Sequence, residues 1–270
     1  MRINCLYRDF FIFLNAIHME KNKWKAFREY YYLKHKDFLD NFWFNYQGYT
    51  IQNIRDRVND IKASDYSHLE EAVKLYDLEE ATRESILRSR NIFPLKGMCN
   101  VYIFIGFFSP DMCVVRFKDD YVICVGLERF KKFTDYPVMM AHEYCHLVLN
   151  KLYGDENNPL RRIIKEGIAI CFSREVYPGL PDYRYLFMHR SDYNMLSSKI
   201  GQYFYDAISY AKRGGDIFHG NVEGLPHRIG YFIGYMLVSR YMKETLKGKS
   251  INQFIENFEN ICIDLERGMA

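Results

Sequence analysis

The chain has 270 residues, enough for one large domain or two small ones, and 49% of them are hydrophobic, enough to bury a substantial core. The formal net charge is only +3 with acids and bases interspersed, which excludes the basic footprint of a nucleic-acid-binding protein. Aromatic residues make up 17%, with 23 Tyr and 21 Phe against 2 Trp, and ordinary core filling is favoured over an aromatic-lined cleft.

From the N-terminus, Phe10-Phe11-Ile12-Phe13-Leu14 is apolar, but Arg8-Asp9 precedes it and His18 and Glu20 close it off. No small-residue cleavage site follows, and the run is far below the roughly 20 residues a membrane span requires. These features predict no membrane span and a cytoplasmic location. Met19 is an alternative start, which would place residues 1–18 outside the protein proper. Lys21, Lys23, Lys25 and Arg28, interleaved with Trp24 and Phe27, form the densest basic cluster and suit one polar face of an amphipathic helix. From about Lys23 to Leu87 the chain reads as helices. Trp24, Phe27, Tyr31, Phe38 and Phe42 follow helical spacing loosely, whereas Ile51, Ile54, Val58 and Ile61 follow it closely. Ser67-x-x-Glu70 and Asp77-x-x-Glu80 resemble helix-start boxes, and the stretch from Asn91 to Gly97, with Pro94, breaks the pattern.

Three short β-rich runs come next: Val101 to Ile105, Met112 to Phe117 and Tyr121 to Val125, with Ser109-Pro110-Asp111 and Lys118-Asp119-Asp120 as turns between them. They predict a small, mainly antiparallel sheet. The following run contains His142-Glu143-Tyr144-Cys145-His146, an H-E-x-x-H pattern. A chain of this composition would show it by chance about one time in a hundred. Each helical residue turns about 100°, so His142 and His146 return to one face and both imidazoles can bind one metal ion. Glu143 lies about a quarter-turn away, too far round to be a third ligand but placed to take a proton from an attacking water. The flanks, Val138 to Ala141 and Leu147 to Leu149, are apolar, and a buried helix does not place two histidines and a glutamate in its middle without partners. Thr134 or Asp135 can cap this helix, Pro137 suits its first turn, and Gly154 can end it.

Catalytic zinc usually takes three protein ligands, so a third donor is expected beyond a chain reversal. Gly154 to Pro159 is such a reversal, and a helical run from Leu160 to about Val176 follows. Within it, Glu166 stands among Ile163, Ile164, Ile168, Ile170 and Phe172, surroundings in which a divalent cation would compensate the carboxylate; Gly167 beside it permits close helix approach. The alternative places Glu166 on a polar side with Arg161, Arg162 and Lys165. Pro178-Gly179-Leu180-Pro181 then breaks the chain, and helices are predicted over about Asp192 to Lys212, Arg228 to Lys243 and Ile251 to Arg267, the last opened by Ser250-x-x-Gln253. The seven cysteines are scattered and lack any C-x-x-C pair, which argues for a reducing compartment, and Cys145 is assigned to packing. The class is α+β, with a helical N-terminal region over 1–93 and a second region over 94–270.

H-E-x-x-H, nineteen residues, then Glu166-Gly167-Ile168-Ala169 resembles the gluzincins, the glutamate-ligand branch of the zincin metallopeptidases. Tyr231-Phe232-Ile233-Gly234 resembles the Tyr-x-x-Gly element with which aminopeptidase N-like enzymes supply a tyrosine to the transition state, whereas no Gly-x-Met-Glu-Asn exopeptidase element is present. The wider phrase from Pro226-His227-Arg228 through Gly234-Tyr235 is similar to a family of bacterial predicted zinc-dependent proteases of unknown substrate. The resemblance implies a zincin-like catalytic domain over 94–270, Zn2+ on His142, His146 and Glu166, Glu143 as general base, and a peptide or protein substrate. It also implies that Tyr121 to Val125 is a sheet edge for substrate, an ordinary core strand being the other reading. Tyr231 is the preferred oxyanion donor; Tyr235 and His227 are alternatives, Arg228 could bind a substrate carboxylate, and core packing with a tied hydroxyl competes for Tyr231. Two further functions fit the same residues: a non-proteolytic protein with a structural metal or a partner-binding role, and a zinc hydrolase of a non-peptide amide or ester.

Overall fold

A computed structural model describes residues 1–20, 22–220, 222–245 and 250–268. The class is α+β, mostly helical with one mixed four-stranded sheet. Two compact units interleave in sequence: Met1–Glu84 with Leu95–Pro137, and Ser85–Pro94 with Val138–Ala270.

In the first unit the strands are β1 (Arg2–Cys5), β2 (Asn100–Phe104), β3 (Met112–Phe117) and β4 (Asp120–Gly126), in the order β1-β2-β4-β3. β1 pairs parallel with β2 and β2 parallel with β4; only β3 and β4 are antiparallel. This corrects the mainly antiparallel expectation. The reason lies at the end of β2. Tyr31 Oη donates to Ile105 O (3.0 Å) and accepts from Ile105 N (3.2 Å), and Trp43 Nε1 donates to Gly106 O (2.9 Å). These side chains pin the chain as it leaves β2, so no tight hairpin forms. The Tyr121–Val125 run is therefore a central strand, not an edge. Val122 to Val125 are all buried, as expected of a strand covered on both faces.

Residues 1–18 belong to this unit: Arg2–Cys5 is β1, and helix α1 (Tyr7–Ala16) buries Phe10, Phe13 and Leu14. Phe10 packs edge-on against Phe13, Tyr31, Tyr66 and Phe107 at ring-centroid separations of 5.0–5.9 Å. The aromatic share thus fills a core. Spacing is loose over residues 23–46 because two stretches, Arg28–Tyr32 and Asn41–Tyr46, are π-helical, and the wider turn shifts the buried positions. The basic cluster is not one exposed face: Lys23 Nζ donates to Asn59 O (2.8 Å) and Ile61 O (2.6 Å), while Lys21 lies outside the described residues. The helix of Ile51–Asp60 is capped by Thr50, and Asp77 Oδ1 accepts from Glu80 N (3.0 Å) at the head of Leu78–Ile92. Ser67 instead opens its helix without capping it.

The second unit is built from helices: α2 (Tyr136–Tyr153, entering the unit at Val138), α3 (Pro159–Val176), α4 (Arg190–Lys212), α5 (Ile229–Thr245) and a final pair, Ile251–Glu256 and Phe258–Gly268. The last pair was expected as a single helix and breaks at Asn257. Gly154 ends α2 at φ 80°, and Asn158 caps α3 by accepting from Leu160 N and Arg161 N, with Pro159 in the first turn. α3 and α5 cross at glycines. A Cβ on Gly167 would lie 2.2 Å from Gly234 O, and one on Gly234 would lie 2.2 Å from Ile163 O. The close approach anticipated at Gly167 is therefore made with α5. No described helix is long and apolar enough to cross a membrane.

Candidate metal centre

α2 is buried on most sides, and the half-buried Met139, Glu143, His146 and Asn150 share one face, with His142 buried beside it. His142 is 3% exposed, and Met140, Ala141, Tyr144, Cys145, Leu147, Val148 and Leu149 are fully buried around it. Tyr144 Oη donates to Phe93 O (2.8 Å), which fixes the rotation of α2 within its unit. α3 brings Glu166 against the same face. Its neighbour Lys165, 8% exposed, hydrogen-bonds through Nζ to Asn150 Oδ1 and to Gly154 O (3.5 Å) at the end of α2. A buried ammonium loses hydration, so it needs these acceptors, and meeting them sets α3 against the last turn of α2. Burial correspondingly holds the Lys165 pKa below its usual value.

The three expected donors converge. His142 Nε2 and His146 Nε2 are 3.0 Å apart, and each is 3.1 Å from Glu166 Oε2. Four-coordinate zinc with donors at about 2.0–2.2 Å separates those donors by about 3.3 Å, close to this triangle. Protons cannot satisfy all three contacts: two Nε2–H groups donating to the carboxylate oppose each other, and a ring without that proton turns its lone pair towards the carboxylate. A cation satisfies all three. The set is the one required: two imidazoles and a carboxylate, mostly buried, able to hold a metal ion. Burial opposes charge on Glu166, yet the facing His146 and His142 rings outweigh it and hold the carboxyl well below the usual carboxylate range. Glu143 behaves oppositely: burial pushes its pKa to about 7, His142 draws it down, and Glu166 adds to the rise.

Residues 83–261 match the family described as Predicted Zn-dependent protease (DUF2268). The chain belongs to this family. No curated protein matches it, and no solved structure does. The DUF2268 match takes in α2, α3 and α5, the helices that carry the convergent triad and the residues around it.

Those surrounding residues separate into two groups. Tyr231, on α5, has its phenol pKa raised well above the usual value, first by burial and then by the carboxylates of Glu166 and Glu143, with Arg228 opposing. Its hydroxyl therefore lies in the field of the centre. Tyr235, one turn on, is turned elsewhere: its hydroxyl accepts from Arg174 Nη1 (2.7 Å). His227 is exposed. Two residues went unnoticed in the sequence. His219 Nε2 stands 3.5 Å from Tyr231 Oη, and the Phe187 ring packs edge-on against His142 at 5.6 Å. Neither carries a motif. The one local signal near His219 is Asp216, whose Oδ1 accepts from Phe218 N (2.8 Å) and His219 N (3.2 Å), an Asx-type turn that fixes the loop. His142 Nδ1 is buried and has no hydrogen-bond partner among the described residues. Cys145 is fully buried and outside the triad; the seven cysteines are all free thiols.

Proposed function

We propose that this DUF2268 chain is a zinc-dependent peptidase that cleaves internal peptide bonds, with His142, His146 and Glu166 as metal ligands. The observation that carries it is the triangle of donor atoms at 3.0–3.1 Å, assembled from two helices. Zinc there would supply Lewis acidity, polarising a scissile carbonyl and making water acidic near neutral pH. Glu143, beside His142 and partly buried, accepts the proton released by the attacking water and passes it to the departing nitrogen. A base with a pKa near the working pH suits both transfers, since it must take the proton and then give it up. Tyr231 donates its hydroxyl proton to the oxygen on which charge develops. A donor aimed at that oxygen contributes roughly a hundred- to a thousandfold in rate. The helical residues around the triad exclude water from its buried side.

The Glu143→Gln protein tests the reading. It should bind one zinc per chain with unchanged affinity while peptide turnover falls by about a thousandfold or more. Turnover retained in that variant would falsify the mechanism. Hydrolysis of esters or non-peptide amides in place of peptides would leave the metal chemistry intact and replace the substrate class.

A further inference from the structure

We infer that Arg228 anchors a carboxylate of the substrate beside the metal centre. This rests on the peptidase reading above and gives it a substrate class.

The guanidinium is held in place without being neutralised. Arg228 Nη1 donates to Phe187 O at 2.7 Å, and the guanidinium carbon stands 5.7 Å from the centroid of the Tyr231 ring. Arg228 is half-buried and has no carboxylate partner among the described residues. Its tether reaches the centre through Phe187, whose ring packs edge-on against His142 at 5.6 Å, while Glu166, Arg228 and Glu143 act on the Tyr231 phenol through their charges. A fixed cation, without a carboxylate partner among the described residues, thus sits between the residue packed on a metal-binding histidine and the Tyr231 ring.

Backbone geometry points the same way. Arg228 and Phe187 have φ of 60° and 51°, the left-handed region that side-chain-bearing residues rarely adopt. They are two of four such residues in the described chain, and they are joined to each other by the hydrogen bond from Arg228 to the Phe187 carbonyl. Strained conformations persist where the surroundings over-determine them, and they concentrate at ligand clamps. The strained pair also has spare capacity. A guanidinium carries five N–H donors in a planar fork, and the Phe187 carbonyl uses one of its edges. The remaining donors match the two oxygens of a carboxylate. A structural tie alone would need neither the fork nor the charge.

That carboxylate can be the C-terminus of a peptide or an Asp or Glu side chain near the cleaved bond. A terminal carboxylate would make the enzyme an exopeptidase, and a side-chain carboxylate would keep internal cleavage with acidic specificity. Zinc-loaded full-length wild type and the Arg228→Met and Arg228→Lys variants should be compared on three peptides of one sequence. One has a free C-terminus, one a C-terminal amide, and one the amide with Glu beyond the cleaved bond. Wild type is expected to prefer one carboxylate-bearing peptide over the neutral amide by about tenfold or more in kcat/KM, expressed in KM. Arg228→Met should abolish that preference, and Arg228→Lys, which keeps the charge but loses the fork, should reduce it partially. The winning peptide identifies the source of the carboxylate.

Metal-free protein supplies the second readout, by calorimetric titration with acetyl-dialanine, its amide, and acetyl-glutamic acid amidated at the α-carboxyl only. Either carboxylate compound should bind wild type more tightly than the neutral amide, and Arg228→Met should remove the difference. Equal treatment of charged and neutral compounds by wild type in both experiments overturns the proposal. So does a preference that survives in Arg228→Met. Arg228-dependent carboxylate binding without cleavage of any peptide leaves the anchor standing and removes the peptidase reading. Cleavage indifferent to carboxylates does the reverse. Should Arg228→Met fail to fold, the lysine variant decides, because an anchor requires it to lose part of the preference.

Discussion

Single residues in this protein are set by what faces them, and three of its glutamates show it. Glu143 and Glu166 share the second unit, yet burial raises the first to about 7 while two imidazoles hold the second well below the carboxylate range. In the first unit, Glu128 accepts from Gly106 N (3.1 Å) and Ser109 Oγ (2.5 Å), but burial outweighs these bonds and its pKa is raised. A carboxyl raised by folding contributes stability that is fully present below its unfolded pKa of about 4.3 and is lost as pH rises through the folded value. The first unit should therefore lose stability on this account as pH climbs from about 4 towards neutral. Thermal melts of wild type and Glu128→Gln across that range provide the check. The amide still accepts a hydrogen bond and does not ionise, so the variant should gain on wild type as pH rises; a constant gap would contradict the assignment. The histidine pair and Glu143 could be read from spacing alone. Phe187 and His219 could not, because one reaches His142 and the other Tyr231 from loops whose course depends on contacts far along the chain.

At the scale of elements, the centre depends on how closely three helices approach. Lys165 registers α3 on α2, and the Gly167–Gly234 crossing sets α5 on α3. Gly167 follows Glu166, and Gly234 lies one turn beyond Tyr231, so one backbone contact brings two candidate functional residues to the same place. Gly234→Ala puts its methyl 2.2 Å from a backbone oxygen, which no rotamer change relieves. It should destabilise the second unit by about 2–3 kcal/mol or more, measured by urea denaturation. Zinc affinity should fall with it, since Glu166 moves when α3 is pushed away; unchanged stability would show that the crossing accommodates a methyl group. Helix positions in this unit were legible because capping and periodicity are local. Which helix Gly167 meets was not, because a small residue advertises closeness without naming its partner. The sheet shows the same limit: three strand positions were readable, but β1 was missed, and the parallel order is imposed by Tyr31 and Trp43 from distant helices.

For the whole molecule, metal binding and folding of the second unit should be linked. The three ligands come from α2 and α3, 20–24 residues apart, and no unfolded chain presents them together. Zinc at a hundred times its dissociation constant should stabilise that unit by about 2.7 kcal/mol. Melting curves with chelator and with zinc would show the shift, and Glu166→Ala should abolish most of it. An equal shift in that variant would mean the ion binds elsewhere. The first unit holds none of the three ligands, so its transition should not respond.

By itself the sequence determined the chemistry on offer: two histidines one helical turn apart, an acid beside the first, and a further acid in an apolar helix. It did so because helical periodicity converts spacing directly into a shared face. Only the tertiary structure decided which atoms meet, how the strands are ordered, and that Arg228 stands beside Tyr231 with no carboxylate partner among the described residues. Those outcomes rest on contacts between segments remote in sequence, where packing and buried hydrogen bonds select one arrangement among many that local propensity allows equally.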